Sequence, residues 1–206
     1  MDFGLRQNDV MNMSRLILAS ASKSRADLLR GSGLEIEVIP AHLDEEIIKA
    51  EKLSVVETAL KLSKAKAAFI SKQYPDGLVI GADQMMECEG VRFDKPDSLE
   101  KAKEQLQFLR GKTHRLISAV GLVKNGETLW SHHQMAELEM RNFSDGFLED
   151  YLKQVGDDVT TTVGGYRLEE IGVQLFDRIE GDYFTILGLP LLAVLDFLRK
   201  QDMIEI

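Results

Sequence analysis

Two short apolar runs constrain the fold more than any other feature of the chain: Leu16-Ile17-Leu18-Ala19-Ser20 and Leu78-Val79-Ile80-Gly81-Ala82. Each is too short for a helix and runs apolar without alternation, so both read as buried strands. The first leads through a polar turn into a helical segment carrying Leu28 and Leu29, which Gly31 and Gly33 stop. The second follows Tyr74-Pro75-Asp76-Gly77, a turn signal. Between them, residues 35–41 alternate apolar with polar and predict a strand. Ser54-Val55-Val56-Glu57 is a capping box that opens a long helix reaching about Gln73.

The spacing of Leu99, Ala102, Leu106 and Leu109, with Gly111 beyond, predicts an amphipathic helix over 98–110. Asn125-Gly126 is a strong hairpin signal between two strands. A helix over about 144–155, a strand around 173–179 and a terminal helix with Pro190 near its first turn complete the pattern. Strands alternating with helices around a hairpin predict a mixed α/β sheet. A chain of 206 residues can bury one sizeable core, or a core split into two lobes around a cleft.

Charge and composition exclude several classes. A net charge of −9 argues against coating a nucleic-acid polymer, so any phosphorylated ligand needs local basic groups. The lone cysteine, Cys88, rules out an internal disulfide framework and a cysteine cluster for zinc, as suits a reducing compartment. Residues 1–13 contain no apolar run and do not read as a secretory signal, which makes cytoplasm the expected location. The most apolar stretch, 183–198, is shorter than a bilayer span and contains Pro190 and Asp196, so no membrane partner is expected.

Three groups of residues carry candidate chemistry. Ser20-Ala21-Ser22-Lys23-Ser24-Arg25, between the first strand and first helix, offers hydroxyls, free N–H groups and a helix dipole to an anion, and Arg25 could grip phosphate oxygens. The same serines also read as helix caps. Asp83, directly after the 78–82 run, is placed at the carboxyl end of a strand, where a carboxylate can hold a metal or activate water; it also reads as a turn cap. Asp44 and Glu45 follow another strand and could add a second carboxylate. Lys66 and Lys95, from separate elements, could neutralise a triphosphate or simply solvate the surface. His132-His133 is assigned no metal, because neighbours in a strand point to opposite faces.

In their joint order these pieces resemble the Maf family of nucleotide pyrophosphatases, with the match running over about 16–198. Its marks are Leu16-Ile17-Leu18-Ala19-Ser20-Ala21-Ser22, Val38-Ile39-Pro40-Ala41, Asp44-Glu45, Lys66-Ala67 and Val79-Ile80-Gly81-Ala82-Asp83. Lys95-Pro96, Gly111-Lys112-Thr113-His114 and Gly188-Leu189-Pro190-Leu191 complete them. The resemblance implies a Maf/ITPase-like fold with two lobes around a central cleft, a leader over 1–13 and a single domain over 14–206. It implies hydrolysis of a nucleoside triphosphate to monophosphate and pyrophosphate with Mg²⁺ or Mn²⁺. Asp83 would be catalytic, Asp83 and Glu45 the metal partners, and Ser20, Arg25, Lys66 and Lys95 the phosphate-binding set. Homodimers are common in the family.

The resemblance also bears on substrate. Many members carry Asp-Thr and a Gln, a pattern associated with dTTP and UTP, whereas this chain has Asp83-Gln84 and Glu169. That combination resembles the branch acting on 7-methyl-GTP. A carboxylate at 169 can accept from the N1–H and exocyclic amine of guanine, or it is a solvated partner of Glu170. Three positions depart from the pattern: Lys23 where Pro is usual, Ser24 where Arg or Trp is usual, and Asp94 where Gly is usual. Asp94 adds negative charge near the phosphates. A different class of function, a division-associated nucleotide-binding protein with little turnover, would keep the same pocket. A dinucleotide-dependent oxidoreductase is excluded, since 20–25 lacks the Gly-x-Gly-x-x-Gly turn.

Overall fold

The computed structural model describes residues 15–204, so the leader expected over 1–13 lies outside the described residues. The elements run β1 (Leu16–Leu18), α1 (Lys23–Gly31), β2 (Glu37–Val38), α2 (Glu46–Lys49), α3 (Val55–Ser71), β3 (Leu78–Cys88), β4 (Val91–Phe93) and α4 (Leu99–Leu109). Then come β5 (Thr113–Lys124), β6 (Glu127–Met140), α5 (Asp145–Val155), three short 3₁₀ turns between 156 and 175, β7 (Phe176–Glu180), α6 (Tyr183–Ile186) and α7 (Leu191–Lys200). They build one seven-stranded sheet in the order β2-β1-β3-β5-β6-β7, with β4 beside β3. The β1 pairings are parallel and the rest antiparallel. This is a mixed α/β sheet flanked by helices, as the alternation of strands and helices in the sequence predicts.

Local chemistry explains the boundaries. Ser54 and Glu57 form the reciprocal capping box at the start of α3, and Ser22, Ser98 and Ser144 cap α1, α4 and α5. Asn125 and Gly126 both have positive φ, 49° and 79°, as a type I′ hairpin turn requires. The expected strand over 35–41 shrinks to Glu37–Val38, because only these residues find register on β1. The strand expected around 173–179 begins at Phe176, and Val173 lies in a 3₁₀ turn instead.

Two cores flank the sheet. One gathers Met86, Leu106, Leu138, Leu148 and Tyr166 beneath α4 and α5; the other gathers Leu18, Leu29, Ile80, Leu122 and Val194 beneath α1 and α7. Helix α3 covers the opposite face through Ala59, Leu62, Ala67 and Ile70. On β6, Trp130 stacks on His132 and on Phe197 of α7, so His132 is part of an aromatic contact. Among the described residues no helix is long and apolar enough to cross a membrane.

Candidate active site

One cleft of about 800 Å³ lies between the two cores, and Ser20, Ser24, Arg25, Glu45, Lys66, Asp83, Gln84, Lys95 and Glu169 all line it. The position of β3 explains why the cleft is there. Its first residues pair with β1 as far as Leu18↔Ile80, and its last residues pair with β4 from Met86↔Phe93. Between these neighbours, residues 81–85 have β5 on one side and neither β1 nor β4 on the other. Asp83 is therefore not the residue after a strand, as its sequence placed it. It sits in the middle of an eleven-residue strand, just past the point where parallel pairing stops. Continuous pairing with β5, Asp83↔Ala119 to Glu87↔Arg115, carries the strand on.

Alternation along β3 aims Asp83 at α3. Gly81, on the same face two residues earlier, lies where a Cβ would collide with the Ser63 carbonyl and the Ala67 nitrogen. That close approach brings Lys66, on the buried stripe of α3 with Ala59, Leu62, Ser63 and Ile70, beside the acid. Lys66 Nζ donates to Asp83 Oδ1 at 2.7 Å and pairs with Glu45 Oε1 at 2.8 Å. Asp83 is 6% exposed, and its second oxygen, Oδ2, is buried with no hydrogen-bond partner. Burial pushes this carboxyl above the ordinary aspartate range, while Lys66 and Arg25 pull against it.

Arg25 is clamped by its neighbours. Ala19 N–H closes the β1–β3 pairing on Ile80 O, and the next outward carbonyl of β3, Ala82 O, accepts from Arg25 Nη1 at 3.0 Å. Nη1 also donates to Ser20 Oγ at 3.1 Å, and Nε donates to Gly188 O at 2.8 Å. Three of the five guanidinium protons are thus committed, and those of Nη2 are left for a ligand. Ser22 caps α1, whereas Ser20 turns its hydroxyl toward Arg25 and accepts the Ser22 N–H at 3.2 Å. The cap reading holds for Ser22, and Ser20 lines the cleft beside Arg25. Lys95 has no hydrogen-bond or ion-pair partner among the described residues; burial and the nearby Arg25 and Lys66 charges lower its pKa.

The remaining expectations separate. Gln84 points to the face opposite Asp83, and its amide donates to Ser118 Oγ, Thr185 O and Ile186 O at 3.0–3.2 Å, anchoring α6. Glu169 is exposed and lines the cleft with Arg167 and Leu168. Ser24 and Lys23 lie at the mouth, with Lys23 paired to Asp27 on its own helix. Asp94 does not bring uncompensated charge to the cleft, because Lys49 of α2 pairs with it at 2.7 Å. Nor does it need glycine's freedom, since it is not among the residues with positive φ. Sequence reasoning missed Lys49, Tyr166 and Arg167 in the lining. Lys49 stands four residues from Glu45, the one spacing that hinted at a shared face.

Fold and site together define an α/β protein with a cation-lined cleft built around one buried acid. The chain belongs to the Maf-like family, whose model, described as "Maf-like protein", matches residues 15–201. It is 48% identical over 196 residues to the nucleoside triphosphate pyrophosphatase of Granulibacter bethesdensis, covering 93% of this chain and 100% of that one. It is 50% identical over 189 residues to the nucleoside triphosphate pyrophosphatase of Paramagnetospirillum magneticum, covering 90% and 97%. The 7-methyl-GTP pyrophosphatase of Rhizobium meliloti is 44% identical over 194 residues, covering 92% and 98%. A dITP/XTP pyrophosphatase structure from Mycobacterium abscessus superposes with a TM-score of 0.38 at 14% identity, over 63% of this chain and 75% of that one, too distant to bear on function.

Proposed function

We propose that this protein hydrolyses a nucleoside triphosphate to the monophosphate and pyrophosphate, with Asp83 as the general base. The observation that carries the reading is Asp83 Oδ2: a buried, unpartnered carboxylate oxygen in a cleft with Arg25, Lys66 and Lys95. Such an oxygen accepts a hydrogen bond from a water and takes its proton as the water attacks the α-phosphorus. The new bond joins water oxygen to that phosphorus; the bond to the bridging oxygen breaks, and pyrophosphate leaves with its charge spread over the cations.

Arg25, held by Ser20 and two backbone carbonyls, orients the phosphates through Nη2. Lys95, with no partner of its own, is free to meet the leaving group. The donors also suit a hard divalent cation: Asp83 and Glu45 are carboxylates drawn to the same ammonium, and one Asp83 oxygen lacks a partner. Among the described residues no three acidic, Cys or His groups converge, so Asp83 and Glu45 would hold Mg²⁺ or Mn²⁺ together with triphosphate oxygens. When bound, the ion would supply charge neutralisation to the phosphates. The family resemblance and the relatives' names support the same reaction.

For the base, we infer a preference for a purine of the 7-methyl-GTP kind, read by Glu169. Glu169 is exposed and lines the same cleft as Arg25, Lys66 and Lys95. Gln84 acts on that choice indirectly, since its amide protons are spent on α6. Pyrophosphate release from 7-methyl-GTP, GTP, UTP and dTTP with Mg²⁺ or Mn²⁺, repeated with Glu169→Gln and Asp83→Ala, tests both statements. Turnover surviving in Asp83→Ala would remove the base assignment. A preference for UTP or dTTP in the parent would remove the role given to Glu169.

A further inference from the structure

Beneath the wall that carries Glu169 lies a buried polar pair outside the chemistry described so far. His114, on β5 and fully buried, meets the hydroxyl of Tyr166 through Nε2 at 2.6 Å. Its other nitrogen, Nδ1, is buried with no partner. A leucine facing a phenylalanine would fill much of the same space without stranding a nitrogen, so shape alone does not explain the pair. The rings pack tightly, with Tyr166 edge-on to Phe176 at 4.8 Å and His114 tilted against Tyr166 at 5.6 Å.

The wall above needs such an anchor. Its backbone bonds are long, 3.4 Å for Gly165 N to Thr162 O and 3.3 Å for Glu170 N to Arg167 O. Gly164 and Gly165 are both left-handed, at φ 81° and 71°, so no regular helix or strand sets its height over the sheet. Side chains do that instead. Tyr151 donates to Gly165 O at 3.0 Å, Thr162 Oγ1 donates to Tyr166 O at 2.8 Å, and His114 holds the Tyr166 hydroxyl. Tyr166 itself lines the cleft, and Arg167, Leu168 and Glu169 follow it directly.

We propose that His114 and Tyr166 are a positioning pair for base recognition, fixing the height at which residues 167–169 face a bound nucleotide while leaving the phosphate chemistry at Asp83 untouched. This rests on the nucleotide reading of the cleft given above. The pair touches no phosphate ligand, so its loss acts on discrimination between bases, and Asp83, Lys66 and Arg25 keep their contacts.

The test compares the parent with the double variant His114→Leu/Tyr166→Phe, with Tyr166→Phe and with His114→Gln. The glutamine amide can reach the hydroxyl from about the position of Nε2. Dissociation constants for GTP and UTP, kcat and KM for both, and the melting temperature are measured. The double variant is expected to fold, to keep kcat on its better nucleotide within about threefold, and to lose roughly tenfold of the purine-to-pyrimidine ratio in Kd and KM. His114→Gln is expected to keep that ratio. A folded double variant with the parental ratio overturns the pair's role and leaves the pyrophosphatase reading intact. If the double variant does not fold, Tyr166→Phe and His114→Gln decide, and equal ratios in the two overturn it. A parent that neither binds nor hydrolyses any triphosphate defeats the reading on which the proposal stands, and the proposal with it.

Discussion

Lys66 holds two carboxylates with one ammonium, and its side chain is only 11% exposed. Buried ion pairs add little net stability over an apolar replacement, yet removing one partner strands the other charge. Lys66→Met is therefore expected to cost about 3 kcal/mol in urea unfolding, because buried Asp83 loses the ammonium that compensates it. Lys66→Met with Asp83→Asn is expected to recover most of that loss; equal losses in single and double variants would show that the pair is not what is being broken. His114 gives the fold a pH dependence. Burial pushes its imidazole down to about 4, so the folded protein keeps it neutral while the unfolded chain protonates near the ordinary histidine value. A depressed histidine contributes stability that is fully present above about pH 6.5 and is lost as the pH falls toward 4. Replacing His114 by Leu is expected to remove a pH-dependent part of the unfolding free energy on the order of 3 kcal/mol between those limits. An unchanged slope over that window would contradict it.

Among the α-helices of the described residues, α2 has the least hold on the fold, with four residues and none of them buried. It is tied across the cleft mouth by Lys49 to Asp94, next to Lys95. Lys49→Ala would leave Asp94 uncompensated beside Lys95, the lysine proposed to meet the phosphates, so KM for a triphosphate is expected to rise about three- to tenfold with kcat little changed. Added salt should shrink the effect, and Asp94→Gly in the same chain should restore KM. A KM that does not move would show that the Asp94 charge is not felt in the cleft. The larger elements were legible in sequence because their signals are local: the Ser54–Glu57 capping box, the Asn125-Gly126 turn and the helical spacing of α4. The extension of β3 past Asp83 was not. Residues 83–88 carry no strand alternation and are held by pairing with β5, a contact far away in sequence. Short α2 and α6 are too brief for any periodicity to declare itself. The site residues were legible as types in order, but their geometry was not: Lys66 reads as one more helix lysine until its place on the buried stripe is seen, and Asp94 reads as a liability until Lys49 is found beside it.

At the scale of the whole molecule, β3 belongs to both cores and runs between them, and the cleft opens where its edge passes from β1 to β4. A chain with a net charge of −9 thereby gathers Arg25, Lys66 and Lys95 around one place. The sheet gap supplies the free Ala82 carbonyl that helps clamp Arg25, the close packing at Gly81 delivers Lys66, and Asp83 is left with one oxygen to spend. In the proposed reaction this oxygen directs water to the α-phosphorus. Hydrolysis of GTP in water labelled with heavy oxygen, followed by mass analysis of both products, tests it most directly. Attack at the α-phosphorus puts one labelled oxygen in the monophosphate and none in the pyrophosphate; label in the pyrophosphate, or release of orthophosphate in its place, would overturn the assignment.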